Sequence, residues 1–276
     1  MKQFDLNRFT KVLCCDFVTR RKQLVLIGGG LLVFDLLISF YNLTVGRNMA
    51  AFAAKTSVES VDPAKGIIGM CLALLGMFML VAASRIFVPE QKKPGRINML
   101  VLPATLFEKF AARWVYAVVY TLLAGVLAFV ITDVLVQLFC LIKGWQVSWM
   151  TLTFLHDMTI LGEVNDANAT LDVVRFIDGY VALFAFHGLF VLGAVLFRRN
   201  NFIITFGIFL AVSYLLMLGV MSVDSLAECF RAYNRSTWPQ ELCYLAVALS
   251  FLIVSYWLSY RIFCRMQVIN NKWLNV

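Results

Sequence analysis

Three titratable residues interrupt long apolar runs of this sequence, and they are its first candidates for chemistry. Asp35, Asp133 and His187 each lie in a segment long enough to cross a bilayer. An ionised carboxylate at the bilayer centre costs about 2.5–3.5 kcal/mol on insertion scales, so it usually faces protein and has a partner. Counted at 1.5 Å per residue, Asp35 and His187 lie about 15–17 Å deep and Asp133 about 27 Å deep. The matched depth predicts that Asp35 and His187 pair or line a shared polar path; the alternative is a protonated Asp35, or one bonded to a hydroxyl such as that of Ser39.

Sequence motifs for catalysis or cofactor binding are not found. Gly28-Gly29-Gly30 is not followed by Gly-Lys-Ser/Thr, so it is no phosphate loop and instead favours close helix packing. His156 and His187 are the only histidines, too few for a convincing zinc site. We therefore predict no catalytic residue, no metal and no cofactor in this chain.

Seven cysteines are present, and two of them could form a disulfide. Cys229 and Cys243 are both expected at or beyond the outer membrane surface, where oxidation is permitted. The alternative is that Cys243 is simply a small apolar residue in the first turn of the last helix.

The composition requires a lipid environment. Apolar residues make up 61% of the 276 residues and charged residues 14%, whereas a soluble domain carries about 45–50% and 25%. Apolar runs of about 20 residues predict an all-α, multi-pass membrane protein with six transmembrane helices. The six predicted spans are Gln23–Leu43, Gly66–Val88, Trp114–Ile142, Gly179–Phe197, Phe202–Met221 and Leu242–Tyr260.

The basic residues predict the orientation. Of the 24 Lys and Arg residues, seventeen fall on the side that holds both termini and seven on the other. This asymmetry indicates cytoplasmic N- and C-termini. Because the basic residues flank the apolar runs and form no continuous patch, the net charge of +8 does not predict nucleic-acid binding.

Two segments outside the spans are amphipathic. Residues 1–22 predict a helix on the inner membrane surface, residues 23–264 the transmembrane domain and residues 265–276 a cytoplasmic tail. Within the inner loop, residues 100–113 predict a second amphipathic helix with Pro103 in its first turn. Its predicted apolar face holds Leu102, Leu106, Phe107, Phe110 and Trp114, while Thr105, Glu108, Lys109 and Arg113 face elsewhere.

The sequence around this second segment resembles a known family. Leu102-Pro103-Ala104-Thr105-Leu106-Phe107-Glu108-Lys109-Phe110 is similar to the "LPAS…EKF" stretch of membrane subunits of type-2 ABC exporters, especially small permeases of Bacteroidota. A second stretch, residues 192–203, is similar to the "GS-x-F-x-K-N" helical hairpin of those proteins. Thr105 replaces the commoner Ser and Arg198 the commoner Lys.

The resemblance implies a permease of the bacterial cytoplasmic membrane that is not itself an enzyme. A separate ATP-binding-cassette subunit would hydrolyse ATP, and a second permease copy or homologue would complete the substrate path. The coupling helix would comprise Leu102, Pro103, Leu106, Phe107, Glu108, Lys109 and Phe110, although the same segment could be only an interfacial anchor. A secondary transporter and a non-transporting scaffold or sensor subunit are the alternative functions.

Overall fold

The computed structural model describes residues 4–56, 63–91, 93–145, 148–160, 169–197, 199–221 and 238–265, and every element in them is helical. The long helices are α1 (Leu6–Thr56), α2 (Pro63–Ser84), α5 (Thr121–Lys143), α7 (Ala169–Leu196), α8 (Asn201–Met221) and α9 (Trp238–Cys264). The shorter helices are α3 (Lys93–Val101), α4 (Leu106–Val115) and α6 (Met150–Ile160). A 3₁₀ turn (Val88–Gln91) precedes α3, and a π-helix (Tyr116–Tyr120) joins α4 to α5.

Six helical segments of the described chain are long and apolar enough to cross a membrane. Each overlaps one of the six segments that hydropathy predicted, so the all-α, multi-pass class is confirmed. The orientation of the termini stays a prediction.

The chain forms two compact units. The first unit comprises Met1–Val12, Leu80–Trp114 and Asp166–Val276, and within it α7 packs along α9 and α8. The second unit comprises Leu13–Met79 and Val115–Asn165. Its core contains side chains from α1, α2, α5 and α6, namely Leu43, Ile67, Ile68, Cys71, Val136, Cys140 and Met150.

Two of the candidate spans are longer than a bilayer requires. Leu6–Val45 has 40 residues and Leu106–Lys143 has 38, which correspond to about 60 Å and 57 Å of helix. Hydrocarbon about 30 Å thick holds about 20 residues, so each of these segments extends beyond it. From Leu6 onward, α1 continues through residue 22 into the first predicted span, and no proline interrupts it.

The second amphipathic segment differs from its prediction at its start. Residues 102–104 form a bend and α4 begins at Leu106, so Pro103 is not in the first turn of a helix. The cause is a capping box: the Thr105 hydroxyl accepts the Glu108 N–H at 3.2 Å, and the Glu108 carboxylate accepts the Thr105 N–H at 2.8 Å. Thr105 thereby fixes the beginning of α4.

Candidate functional site

The Glu108 side chain ties the N-terminal segment to α4 within the first unit. Glu108 is fully buried, and its carboxylate accepts the backbone N–H of Asp5 at 2.9 Å. The Arg8 guanidinium donates to the same carboxylate at 3.2 Å. Together with the capping bond to Thr105, these contacts supply donors to both carboxylate oxygens. A buried charge is tolerated only with such partners.

The two basic residues of α4 are buried as well. The Lys109 ammonium donates to the carbonyl oxygen of Met99 at 2.7 Å, at the end of α3. The Arg113 guanidinium lies 5.9 Å from the ring centroids of both Phe87 and Phe263. Arg113 therefore stacks among aromatic rings, a cation–π geometry that suits a planar guanidinium.

Aromatic side chains pack around the inner face of α4. Phe110 is 8% exposed, and its ring centroid lies 6.0 Å from that of Phe87 and 5.6 Å from that of Phe263. Tyr260 contacts Phe110 at 5.5 Å. The predicted apolar residue Phe110 thus belongs to the packed interior of the first unit.

The outer face of α4 is apolar, which reverses the predicted polarity of this helix. Phe107 is 53% exposed and Leu106 36%, whereas Glu108 and Lys109, predicted to face away from the apolar side, are buried. The reason is that the N-terminal segment and α3 supply donors and acceptors that compensate the charges inside. Glu108 and Lys109 therefore bind α4 to the neighbouring segments and do not present their charges on its outer face.

Phe107 is held in place despite its exposure. Its ring lies 6.2 Å from that of Phe4 and 6.0 Å from that of Tyr260, both edge-on. The other predicted coupling residues lie nearby in sequence: Leu102 is half-buried in the bend and Pro103 is exposed there. The arrangement offers an apolar contact surface on a helical turn that its neighbours hold in place.

His187 has a partner in the first unit. Its Nδ1 lies 2.6 Å from the Tyr256 hydroxyl, and the Trp114 side chain hydrogen-bonds to Tyr256. An indole N–H only donates, so Tyr256 accepts from Trp114, and the direction of the bond between Tyr256 and Nδ1 follows the imidazole tautomer. A polar chain therefore connects the last residues of α4 with the buried imidazole on α7.

Asp35 is 3% exposed in the second unit, and Cys71 hydrogen-bonds to its carboxyl group. Oδ1 of Asp35 and Nε2 of His187 have no hydrogen-bond partner among the described residues. Because the two residues belong to different units, their pairing stays a prediction. A double-mutant cycle with Asp35→Asn and His187→Gln measures it, and a coupling of less than about 0.5 kcal/mol would contradict it.

Asp133 caps the short helix α6. Its carboxylate accepts the N–H groups of Met150 at 3.2 Å and Thr151 at 2.9 Å, and the Thr151 hydroxyl at 2.6 Å. The N-terminus of a helix carries unpaired N–H groups and a positive partial charge, so a carboxylate is stabilising there. Asp133 therefore has a structural role, that of capping α6. Neither α6 nor this contact was predicted, and Asp133 lies 17 and 18 residues from Met150 and Thr151, too far for a local sequence signal.

Two further predictions reach beyond the described residues. Cys243 lies on α9, but Cys229 is outside the described ranges, so their disulfide stays a prediction. Within the described ranges, no group of three or more His, Cys, Asp or Glu residues could hold a metal ion.

The contacts of Glu108 were partly readable in the sequence. Thr105-x-x-Glu108 is the spacing of a capping box, and it could have identified residue 106 as the helix start. The bond from the Asp5 N–H spans 103 residues and has no local signal.

Comparison of the chain with models of known protein families, with curated proteins and with solved structures yields no match.

Proposed function

We propose that this chain is the membrane-spanning subunit of an ABC exporter of a bacterial cytoplasmic membrane. A separate ATP-binding-cassette subunit would hydrolyse ATP, a second permease copy would complete the assembly, and both termini would be cytoplasmic. The observation that supports this best is α4, whose charged side chains are buried while Phe107 remains exposed on a fixed turn. An aromatic anchor on a rigid element is the kind of residue that dominates a protein–protein contact.

The position of α4 along its helix also supports the proposal. Leu106 precedes Trp114, the first residue of the third predicted span, by eight residues, or about 12 Å of helix. In this proposal Phe107 lies where a soluble subunit can reach it. The basic asymmetry assigns this side to the cytoplasm, where ATP is available.

The contacts behind α4 offer a route from that surface to the membrane interior. Trp114, Tyr256 and His187 form a polar chain from the C-terminal end of α4 to α7. A force applied at Phe107 would be passed to these contacts because Glu108 and Phe110 fix the helix to its surroundings. Such a contiguous network is a hypothesis for coupling until energetic coupling is measured.

The partner is tested by purification of the tagged chain from its native membrane in mild detergent, followed by mass spectrometry. A P-loop ATPase at about equal stoichiometry is expected. Recovery of the chain without any nucleotide-hydrolysing partner would favour the secondary-transporter or scaffold alternative.

The variant Phe107→Asp is expected to abolish copurification of the ATPase and its stimulation, because a carboxylate cannot enter an apolar groove without losing hydration. The chain itself should keep its thermal stability, since Phe107 is half exposed. Phe107→Leu is the matched control and should retain most of the stimulation. Full stimulation by Phe107→Asp would contradict the coupling role of this side chain.

The orientation predicts that Gln91 is cytoplasmic and that Asn168, outside the described residues, is external. Single cysteines at these two positions, in a variant whose seven native cysteines are replaced, can be labelled with a membrane-impermeant thiol reagent on intact cells. Asn168→Cys should react and Gln91→Cys should react only after lysis. The reverse pattern would overturn the orientation.

A further inference from the structure

A cavity of about 210 Å³ lies within the second unit. Its walls come from α1, α2, α5 and α6 and consist mostly of apolar side chains, including the rings of Phe129 and Phe154. The two rings are 6.4 Å apart in an edge-to-face arrangement. An apolar cavity of about 150 Å³ can already hold benzene, so this cavity is large enough for a small organic molecule.

One carboxylate lines the cavity. Asp35 is only 3% exposed, and its Oδ1 accepts no hydrogen bond from the described residues. The Cys71 thiol, a weak donor, is the neighbour that hydrogen-bonds to this carboxyl group. No Lys or Arg is among the described residues that line the cavity.

We propose that this cavity is a binding site for small molecules that combine one ammonium group with an apolar, preferably aromatic, body. The ammonium would donate to Oδ1 of Asp35 and neutralise its charge, and the apolar body would fill the space beside Phe129 and Phe154. Aromatic faces also attract a cation within about 6 Å, so the walls and the carboxylate favour the same ligand charge. Anionic molecules would be rejected by the same carboxylate.

The site is defined by the second unit alone and does not require the proposed ATPase partner. If the chain is an exporter subunit, lipophilic amines become its expected substrate class. Binding measured on the purified chain without any ATPase therefore tests the site separately from the coupling proposal.

The test uses the full chain in nanodiscs of zwitterionic lipid, with 2-phenylethylammonium as the probe and uncharged 2-phenylethanol as its counterpart. Calorimetric titration is expected to show that the wild type binds the amine at least about tenfold more tightly than the alcohol. Asp35→Asn should remove this preference while leaving the binding of the alcohol within about threefold of wild type. Asp16→Asn, the same substitution on the same helix, lies outside the cavity lining and should behave as wild type.

A second variant separates the cavity from the charge. Leu31 is 1% exposed, lines the cavity and precedes Asp35 by one helical turn, so Leu31→Trp should fill the space and weaken both probes. Equal affinity of the wild type for amine and alcohol would overturn the proposal. So would an unchanged preference in Asp35→Asn or unchanged binding in a folded Leu31→Trp; if Leu31→Trp does not fold, Asp35→Asn decides.

Discussion

Glu108→Ala is expected to lower the free energy of unfolding by about 3 kcal/mol, one of the two largest effects of a single substitution that we predict. The substitution leaves the N–H groups of Asp5 and Thr105 without their acceptor and removes the charge opposite Arg8. The lost bond from the Thr105 N–H is one half of the capping box that begins α4, and the other half, from the Glu108 N–H to the Thr105 hydroxyl, remains. The loss stays at the lower end of the range for buried ion pairs because the Arg8 side chain is 31% exposed and can turn to water.

Glu108→Gln is the matched variant for this experiment. Glutamine also occupies the last position of a capping box, so the helix start is kept while the charge is lost. We expect a loss of about 1–2 kcal/mol, and about 1 kcal/mol for Thr105→Ala, which removes only the hydroxyl acceptor. Thermal unfolding of the three variants in the same detergent measures their order of stability. A stability of Glu108→Ala within about 0.5 kcal/mol of wild type would contradict the structural role of this carboxylate.

The polarity of α4 shows where sequence patterns stop being informative. Periodicity identified the segment as amphipathic, but it assigned the charged residues to the outer face. Glu108 and Lys109 face inward because their partners, the Asp5 N–H and the Met99 carbonyl, are backbone groups of other segments. The type of a residue does not reveal such partners. Because the charged side chains face inward, Phe107 is left exposed on the outer face of α4.

The membrane spans were predictable because hydropathy reports directly on transfer into lipid. The ends of the spans were less predictable, since α1 continues from Leu6 through the boundary expected after residue 22. Among the intramembrane polar residues, depth could be counted from the sequence, whereas the neighbours Tyr256 of His187 and Cys71 of Asp35 required the fold.

Gly193→Ala is expected to be at least as damaging, with a loss of about 3 kcal/mol or failure to accumulate in the membrane. Gly193 lies on α7 opposite Thr205 of α8, and a Cβ added there would clash with the Thr205 hydroxyl oxygen. It would also be 2.9 Å from both Cβ and Cγ2 of Thr205, so rotation of the Thr205 side chain cannot relieve the clash. The two helices would have to separate, and small residues at such crossings permit the close backbone approach on which helix association in membranes depends.

Two further variants make this prediction specific to the crossing. Gly207 is also on α8, and a Cβ there would meet nothing within 4 Å, so Gly207→Ala should change stability by less than about 1 kcal/mol and can stabilise the helix. Thr205→Gly removes all three clashing atoms, so the double variant Gly193→Ala/Thr205→Gly should recover much of the loss and show strong non-additivity. The measurement is thermal unfolding of the wild type, Gly193→Ala, Gly207→Ala, the double variant and its Thr205→Gly control in one detergent, together with their yields from membranes. If Gly193→Ala proved as stable as Gly207→Ala, α7 and α8 would not be in the close contact that the Gly193–Thr205 pair indicates.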